Sequence, residues 1–447
     1  MNTSTKPPLP LSLNLRLSAM MFLQYAIWGA WLPLLWPYLF GHLDFTAEQI
    51  GNLFAVGAIG AIVAPFIAGQ IADRWFPTQI FLGISHLLGA AVIWRLPSLS
   101  TYQEFLWFSL AYSVIYSPTL ALTNSLAFHH IPDRDRDFGR VRVWGTVGWI
   151  AAGIAIGQWL AKHYQPTAAD FEAAKTAGTT TLATLAEYKS AVLDAGRADA
   201  FKLSALLGLA LGLFCFVLPH TPPSKEQHSN ASLAALNEVR FQPLITLFLL
   251  AVPVSCIHQF YFVHTSQFLT RFQSAAADSI NQVFGIGGGG LMTIGQMSEI
   301  VVLASIPFFA KRTSRKTLLA VGLIAYGLRM AIFAYMDNTV AIMFGIALHG
   351  FCFGCFIFVA FMVVDEETTP DVRASAQSLF NLVIVGVGTI VGSIIATTLA
   401  AHYTRPDKTI DYTSLFAWPM WASVACLIAL LLFYPRRSPR ETPITTP

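Results

Sequence analysis

The 447-residue sequence predicts an all-α membrane protein of twelve transmembrane helices in two six-helix bundles, and three observations carry that prediction. The chain is 55% hydrophobic and only 11% charged, where soluble globular chains carry about 25% charged residues; so few charges cannot cover a water-exposed surface. Stretches of about 20 mostly apolar residues, the length that crosses the hydrocarbon core of a bilayer, recur twelve times. Between the sixth and the seventh lies His220–Gln242, a polar segment rich in Pro, Ser, Gln and Asn.

Span one, Leu17–Phe40, follows only Lys6 and Arg16. It is too long for a removable signal peptide, has no small-residue cleavage site behind it, and is expected to stay. Spans two to six fall near 48–72, 77–94, 103–127, 141–161 and 201–219. Spans seven to eleven fall near 243–269, 283–309, 317–336, 339–363 and 374–401, and span twelve is Phe416–Tyr434. The expected organisation is an N-terminal bundle over 1–219, a cytoplasmic linker over 220–242, and a C-terminal bundle with a short tail over 243–447. Within the first bundle, the loop 161–200 is rich in Ala, Thr, Glu, Lys and Asp; it reads either as short helices over the outer mouth or as a mobile insertion. The run Gly287–Gly290 lacks the Gly-Lys-Ser/Thr that a phosphate-cradling loop requires and reads as a flexible outer end of span eight.

Lys and Arg are enriched on the cytoplasmic side of membrane proteins. With the N-terminus inside, sixteen of them fall in cytoplasmic segments and nine outside, five of the nine in the long loop. Both termini are therefore expected in the cytoplasm. The formal charge of +3 is accounted for by this bias and is no argument for a nucleic-acid partner. All five cysteines lie within apolar spans, where they read as small packing residues; Cys352-Phe-Gly-Cys355 has redox spacing without the βαβ setting that gives it meaning.

A charge in the hydrocarbon region is costly and usually faces a cavity or a partner on the transport route. Arg142, Glu299 and Arg329 are such charges. Arg142, Thr146 and Trp149 of span five are spaced i, i+4, i+7 and share one helical face, a cation, a hydroxyl and an aromatic plate suited to a polar ring compound. Gln296 and Glu299 of span eight are i, i+3. Span seven offers Gln259 with Phe262, span ten His349 with Phe353, and span one Gln24, Trp28 and Trp31 on one face. The plain alternatives are that the aromatics pack or anchor, that the glutamines join helices, that His258 and His264 are structural, and that Arg329 snorkels or pairs with helix ends.

Six spans, a linker and six spans is the plan of secondary transporters of the major facilitator type, and Gly69-Gln-Ile-Ala-Asp73-Arg74 resembles the loop that follows span two in that superfamily. Lys311-Arg-Thr-Ser-Arg315-Lys316, at the equivalent place in the second half, reads as an ordinary basic loop. Nearly end to end, the sequence resembles the nucleoside/proton symporter family of that superfamily. The resemblance is carried by Leu23-Gln24 with Trp28-Gly29, Tyr116-Ser-Pro118-Thr119-Leu120-Ala-Leu122-Thr-Asn124, Arg142-Val-Trp144-Gly145-Thr146, Gln296-Met-Ser298-Glu299, Leu328-Arg329 with Phe333-Ala334-Tyr335, and Arg373-Ala-Ser-Ala-Gln377. It implies a central site of Arg142, Thr146, Gln259, Gln296 and Glu299 with aromatics at Trp149 and Phe353. Amides and the carboxylate would then read ribose hydroxyls and base edges while rings stack on the base. The chain departs from the family pattern in placing Phe262 where an asparagine is usual, His349 where a tyrosine is usual, and Gly354 where an aspartate thought to carry the coupled proton is usual.

The expectation is a multi-pass transporter of the cytoplasmic (inner) membrane that takes up nucleosides by proton symport with alternating access. Glu299 and His349 are the proton-coupling candidates, Arg142 and Gln296 are expected to face one cavity, and no cofactor or metal is expected. The expected partners are nucleoside, protons and the lipid bilayer, and the expected state is a monomer. An uncoupled nucleoside facilitator, or a carrier of another polar ring compound such as a sugar, is the alternative. An enzyme is disfavoured because no HExxH, no GxSxG and no His/Asp ligand cluster lies within the spans; a receptor is disfavoured by a tail of thirteen residues after Tyr434.

Overall fold

The computed structural model describes residues 7–67, 76–222, 236–269, 271–272, 288–310, 312–369, 373–407 and 409–435. Among them, ten helical segments are long and apolar enough to cross a membrane, and two shorter apolar helices, Ala47–Val63 and Leu291–Ile306, stand at the places of spans two and eight. Helix is the expected answer to lipid, which offers backbone N–H and C=O groups no partner, so each segment must satisfy its own.

Deviations from a straight helix have local causes. Span one runs as Leu11–Trp31, tightens over Leu32–Leu34 where Pro33 lacks an N–H for the ladder, and resumes over Leu35–Gly41. Span four, Tyr102–His130, starts at Thr101, whose hydroxyl accepts from the Glu104 N–H. Span five is Arg134–His163 and the helix of span six is Ala198–Phe214. Spans seven, eight and nine are Leu244–Leu269, Gly288–Ala310 and Arg315–Tyr335. The described glycines of the four-glycine run, Gly288–Gly290, are helical and belong to span eight, and Gly287 lies outside the described residues. Span ten starts at Asn338, whose side chain accepts from the N–H groups of Val340 and Ala341, and widens into a π-wound segment, Cys352–Phe358, before Val359–Glu367. Span eleven has a second π-wound segment, Leu382–Gly388. Such widened turns interrupt the regular ladder and are frequent at functional sites.

The chain divides into two compact units, Met1–Lys225 with Thr265–Thr293, and Glu226–His264 with Ile294–Pro447. Within the first, spans one and five approach backbone to backbone. A Cβ on Gly29 would lie 2.6 Å from the Trp149 carbonyl oxygen, and one on Gly148 would overlap the Phe22 carbonyl. Small residues that admit such approach are the usual means of packing helices in lipid, where no hydrophobic force acts between them. The long loop folds as two short helices, Ala168–Thr176 and Leu185–Gly196. The first ends at Gly178, whose φ of +65° is open to glycine without strain.

In the second unit, a Cβ on Gly322 of span nine would meet the Phe356 backbone N at 2.7 Å, and one on Gly392 of span eleven the Cys256 Cα at 2.7 Å. At one end of the unit Glu238, just before span seven, accepts from the N–H (2.9 Å) and hydroxyl (2.6 Å) of Thr369. Arg315 forks onto Glu366, and Lys316 donates to the Leu431 and Tyr434 carbonyls at the end of span twelve. The loop residues Gly69–Arg74, together with Lys311 and most of the linker, lie outside the described residues.

Candidate functional site

Each unit presents a cluster built from mid-span polar and aromatic side chains. In the first, span five carries Arg142, Thr146 and Trp149, all partly exposed. The Arg142 guanidinium lies 4.0 Å from the centroid of the Tyr25 ring of span one, a cation–π contact. Gly145 makes room for it, since a Cβ there would lie 2.6 Å from Arg142 Nη1. Trp149 meets Trp28 edge-on at 6.5 Å, and Trp28 packs on Tyr116 at 5.6 Å.

Behind these rings is a buried polar network that joins spans one, three and four. Gln24 Nε2 donates to Thr119 Oγ1 at 2.9 Å, the Gln24 amide oxygen meets His86 Nε2 at 2.9 Å, and the Tyr116 hydroxyl donates to the Gln24 carbonyl at 2.5 Å. Because the Gln24 oxygen can only accept, His86 Nε2 carries its proton.

In the second unit, His349 of span ten is central. Its Nδ1 is 3.1 Å from Arg329 Nη1 of span nine and its Nε2 is 3.6 Å from Glu299 Oε2 of span eight. Tyr261 stacks on the imidazole at 4.7 Å and 19°, His258 lies nearly parallel at 5.5 Å, and Phe262 meets it edge-on at 6.2 Å. Room for the stack comes from Gly295, where a Cβ would lie 2.9 Å from the Tyr261 hydroxyl and 3.0 Å from His349 Cβ. Tyr326 hydrogen-bonds His258 Nδ1 at 2.7 Å.

Three of the expected site residues, Phe262, Glu299 and His349, thus meet around one imidazole. Gln296 is buried one turn before Glu299. Gln259 donates to Ser393 Oγ of span eleven at 2.9 Å, so one end of its amide is engaged by a neighbouring helix. Phe353, half-buried, is the second residue of the widened segment that follows His349. Next to it, a Cβ on Gly354 would lie 2.7 Å from Val302 Cγ1; the place of the family's aspartate is filled by Val302 of span eight.

Sequence reasoning missed Tyr261, Tyr326 and His258 as members of the cluster. The first two look like ordinary aromatic packing, and the only signal for His258 was its place one turn before Phe262. Arg329 does not snorkel. It has no exposed surface, and its guanidinium lies 4.4 Å from the Tyr261 ring centroid and 5.2 Å from that of Tyr326. His264 meets the Ala396 carbonyl at 3.1 Å, where it can only donate.

A cation, a carboxylate, amides and ring faces held inside apolar helices are the groups that hydrogen-bond and stack on polar ring compounds in general. The sequence model of the nucleoside H+ symporter family matches residues 11–188 and 169–440. This chain belongs to the nucleoside/proton symporter family.

As a member of that family it is a multi-pass membrane transporter and not an enzyme. Among relatives, it is 32% identical over 445 residues to the putative nucleoside transporter YegT of Escherichia coli (strain K12), covering 95% of this chain and 94% of the relative. It is 29% identical to the xanthosine permease of the same organism (95% and 96% covered) and 28% identical to its nucleoside permease NupG (94% of each). The crystal structure of the nucleoside transporter NupG superposes with a TM-score of 0.76 at 25% identity, over 96% of this chain and 100% of that one. A D-xylose–proton symporter shares the fold alone, with a TM-score of 0.67 at 11% identity.

Proposed function

We propose that this family member takes up nucleosides across the cytoplasmic membrane by proton symport with alternating access, as a monomer with both termini in the cytoplasm. The observation that carries the reading is Glu299, a mid-span carboxylate beside Gln296, linked through His349 to the buried cation Arg329. An ionisable group held in hydrocarbon marks the transport route, and a carboxylate both accepts from hydroxyls when ionised and holds a proton when neutral. Arg142, Thr146, Gln259, Gln296 and Glu299 read the ribose and base edges, and Trp149, Phe262 and Phe353 supply apolar faces for the base. His349 modulates Glu299, which carries the proton.

One observation favours a second reading, an uncoupled facilitator. Gly354 holds no proton where the family has an aspartate, and Val302 occupies the space that such a side chain would need. Glu299→Gln separates the two. Loss of a charged hydrogen-bond partner costs about 1.5–3 kcal/mol, so nucleoside uptake in proteoliposomes should fall roughly tenfold or more and nucleoside-driven proton flux should vanish. Proton flux unchanged in Glu299→Gln would place the proton on another group, and wild-type counterflow without any proton flux would establish the facilitator.

A further inference from the structure

The contact between Arg329 and His349 assigns protons that no heavy-atom position shows directly. A guanidinium has five donors and no acceptor and stays charged. At 3.1 Å from Arg329 Nη1, His349 Nδ1 therefore offers a lone pair. A neutral imidazole has a single N–H, which must then sit on Nε2, the nitrogen 3.6 Å from Glu299 Oε2.

We propose that Arg329 is a positioning residue of the coupling centre, fixing His349 as the Nε2–H tautomer so that the imidazole presents a donor, and not a lone pair, to Glu299. The proposal rests on the reading of Glu299 as proton carrier. Arg329 is well held for this role. It has no exposed surface, it lies against the rings of Tyr261 and Tyr326, and among the described residues its Nε and Nη2 have no hydrogen-bond partner. The hydrogen bond to His349 is thus the polar contact that orients it.

A second proton on His349 would have to enter at Nδ1, setting N–H against N–H beside a fixed positive charge. The other titratable groups facing the pair do not relieve this. They are His258 and Tyr261 from span seven, Glu299 from span eight, Tyr326 from span nine and Cys352 from span ten, of which Glu299 alone is anionic at its ordinary neutral-pH state. A proton entering the cluster is accordingly taken by the carboxylate. His349 serves as a bridge, its Nε2–H facing Glu299 Oε2 at 3.6 Å and its Nδ1 held by Arg329, and it keeps a single N–H while Arg329 is in place.

The test is nitrogen NMR of ring-labelled histidine in the bilayer-reconstituted full chain, with the His349 signal identified by its loss in His349→Gln. In wild type, Nδ1 should be pyridine-like and Nε2 pyrrole-like, and both should stay so between about pH 8 and pH 5, through the range where a free imidazole titrates near 6.5. Arg329→Met should release the tautomer, giving mixed or titrating signals. Arg329→Lys keeps a cationic donor and should retain the wild-type signal. A wild-type Nδ1–H form, or a His349 signal that titrates in wild type, overturns the assignment, as does an Arg329→Met signal identical to wild type. With the tautomer as stated, nucleoside movement without proton flux would instead overturn the reading of Glu299 as proton carrier.

Discussion

Gln24 is fully buried, and its amide and its backbone carbonyl are all engaged, by Thr119, His86 and Tyr116 on two other spans. Leucine at this position fits the volume but leaves the His86 N–H without its partner and takes from the Thr119 hydroxyl the donor it accepts from, while that hydroxyl still donates to the Tyr116 carbonyl. A buried polar group stripped of its partner costs about 1–3 kcal/mol, and in membranes interhelical hydrogen bonds are worth about 0.6–2 kcal/mol. Gln24→Leu is therefore expected to lower the thermal unfolding midpoint in detergent by several degrees, measured by tryptophan fluorescence; an unchanged midpoint would show that the network contributes nothing to stability. Half of this network was legible. Gln24, Trp28 and Trp31 share a face by spacing, and Thr119 lies in a motif of span four. His86 gave no signal beyond being polar in an apolar helix, because the partner that explains it is 62 residues away in the chain. The same limit hid the second cluster. Spacing put Gln296 with Glu299 and His349 with Phe353, but only tertiary packing brings Arg329 and Tyr261 from two further helices onto the His349 ring.

The long loop is decided by its helix ends. Thr167 and Asp170 cap the helix Ala168–Thr176, and Thr184 and Glu187 cap Leu185–Gly196, each threonine accepting from the N–H three residues on while the acid accepts from the threonine N–H. This reciprocal pattern is visible in sequence as Thr-x-x-Asp/Glu, so the choice between helix and mobile insertion was open to a closer reading of the capping residues. The base of the loop is tied to span six by Asp199, which accepts from Trp159 Nε1 (2.8 Å), the Tyr164 hydroxyl (2.7 Å) and Lys202 (2.9 Å); this hydrogen bond pushes the Tyr164 hydroxyl up to about 12. Thr184→Ala removes a cap worth about 1 kcal/mol, and amide exchange over 185–188 should quicken roughly fivefold while 168–176 is unaffected. In the same exchange measurement, the Thr167 backbone N–H holds the Asp170 carboxyl below its usual range. A carboxyl depressed on folding contributes its stabilisation above the ordinary titration near 3.9 and loses it only as pH falls through the lower folded value, so protection of the first turn of 168–176 should persist at about pH 4. Uniform protection factors in wild type and Thr184→Ala would contradict the capping account. The widened turns in spans ten and eleven, by contrast, had no sequence signal. A run such as Cys352–Phe358 has the composition of any apolar helix, and its winding is set by what packs against it.

For the molecule as a whole, twelve spans were readable because lipid imposes a single rule, a long apolar segment with its backbone satisfied internally, and composition reports that rule directly. The expected start of span eight, near 283, lies outside the described residues, which take up the helix at Gly288. Family membership follows from the ordered motifs and from a match that runs along nearly the whole chain. In the proposed site, the choice of nucleoside and of proton coupling turns on Phe262, His349 and Gly354, where the resemblance implies other residues, so the family pattern leaves those choices to measurement. The most direct measurement is uptake of a labelled nucleoside panel into proteoliposomes of the wild-type chain, with and without an inward proton gradient. Proton symport predicts accumulation of at least one nucleoside above its external concentration when the gradient is imposed, abolished by a protonophore. Uptake that only equilibrates and ignores the gradient, or no uptake and no counterflow of any nucleoside, would contradict it.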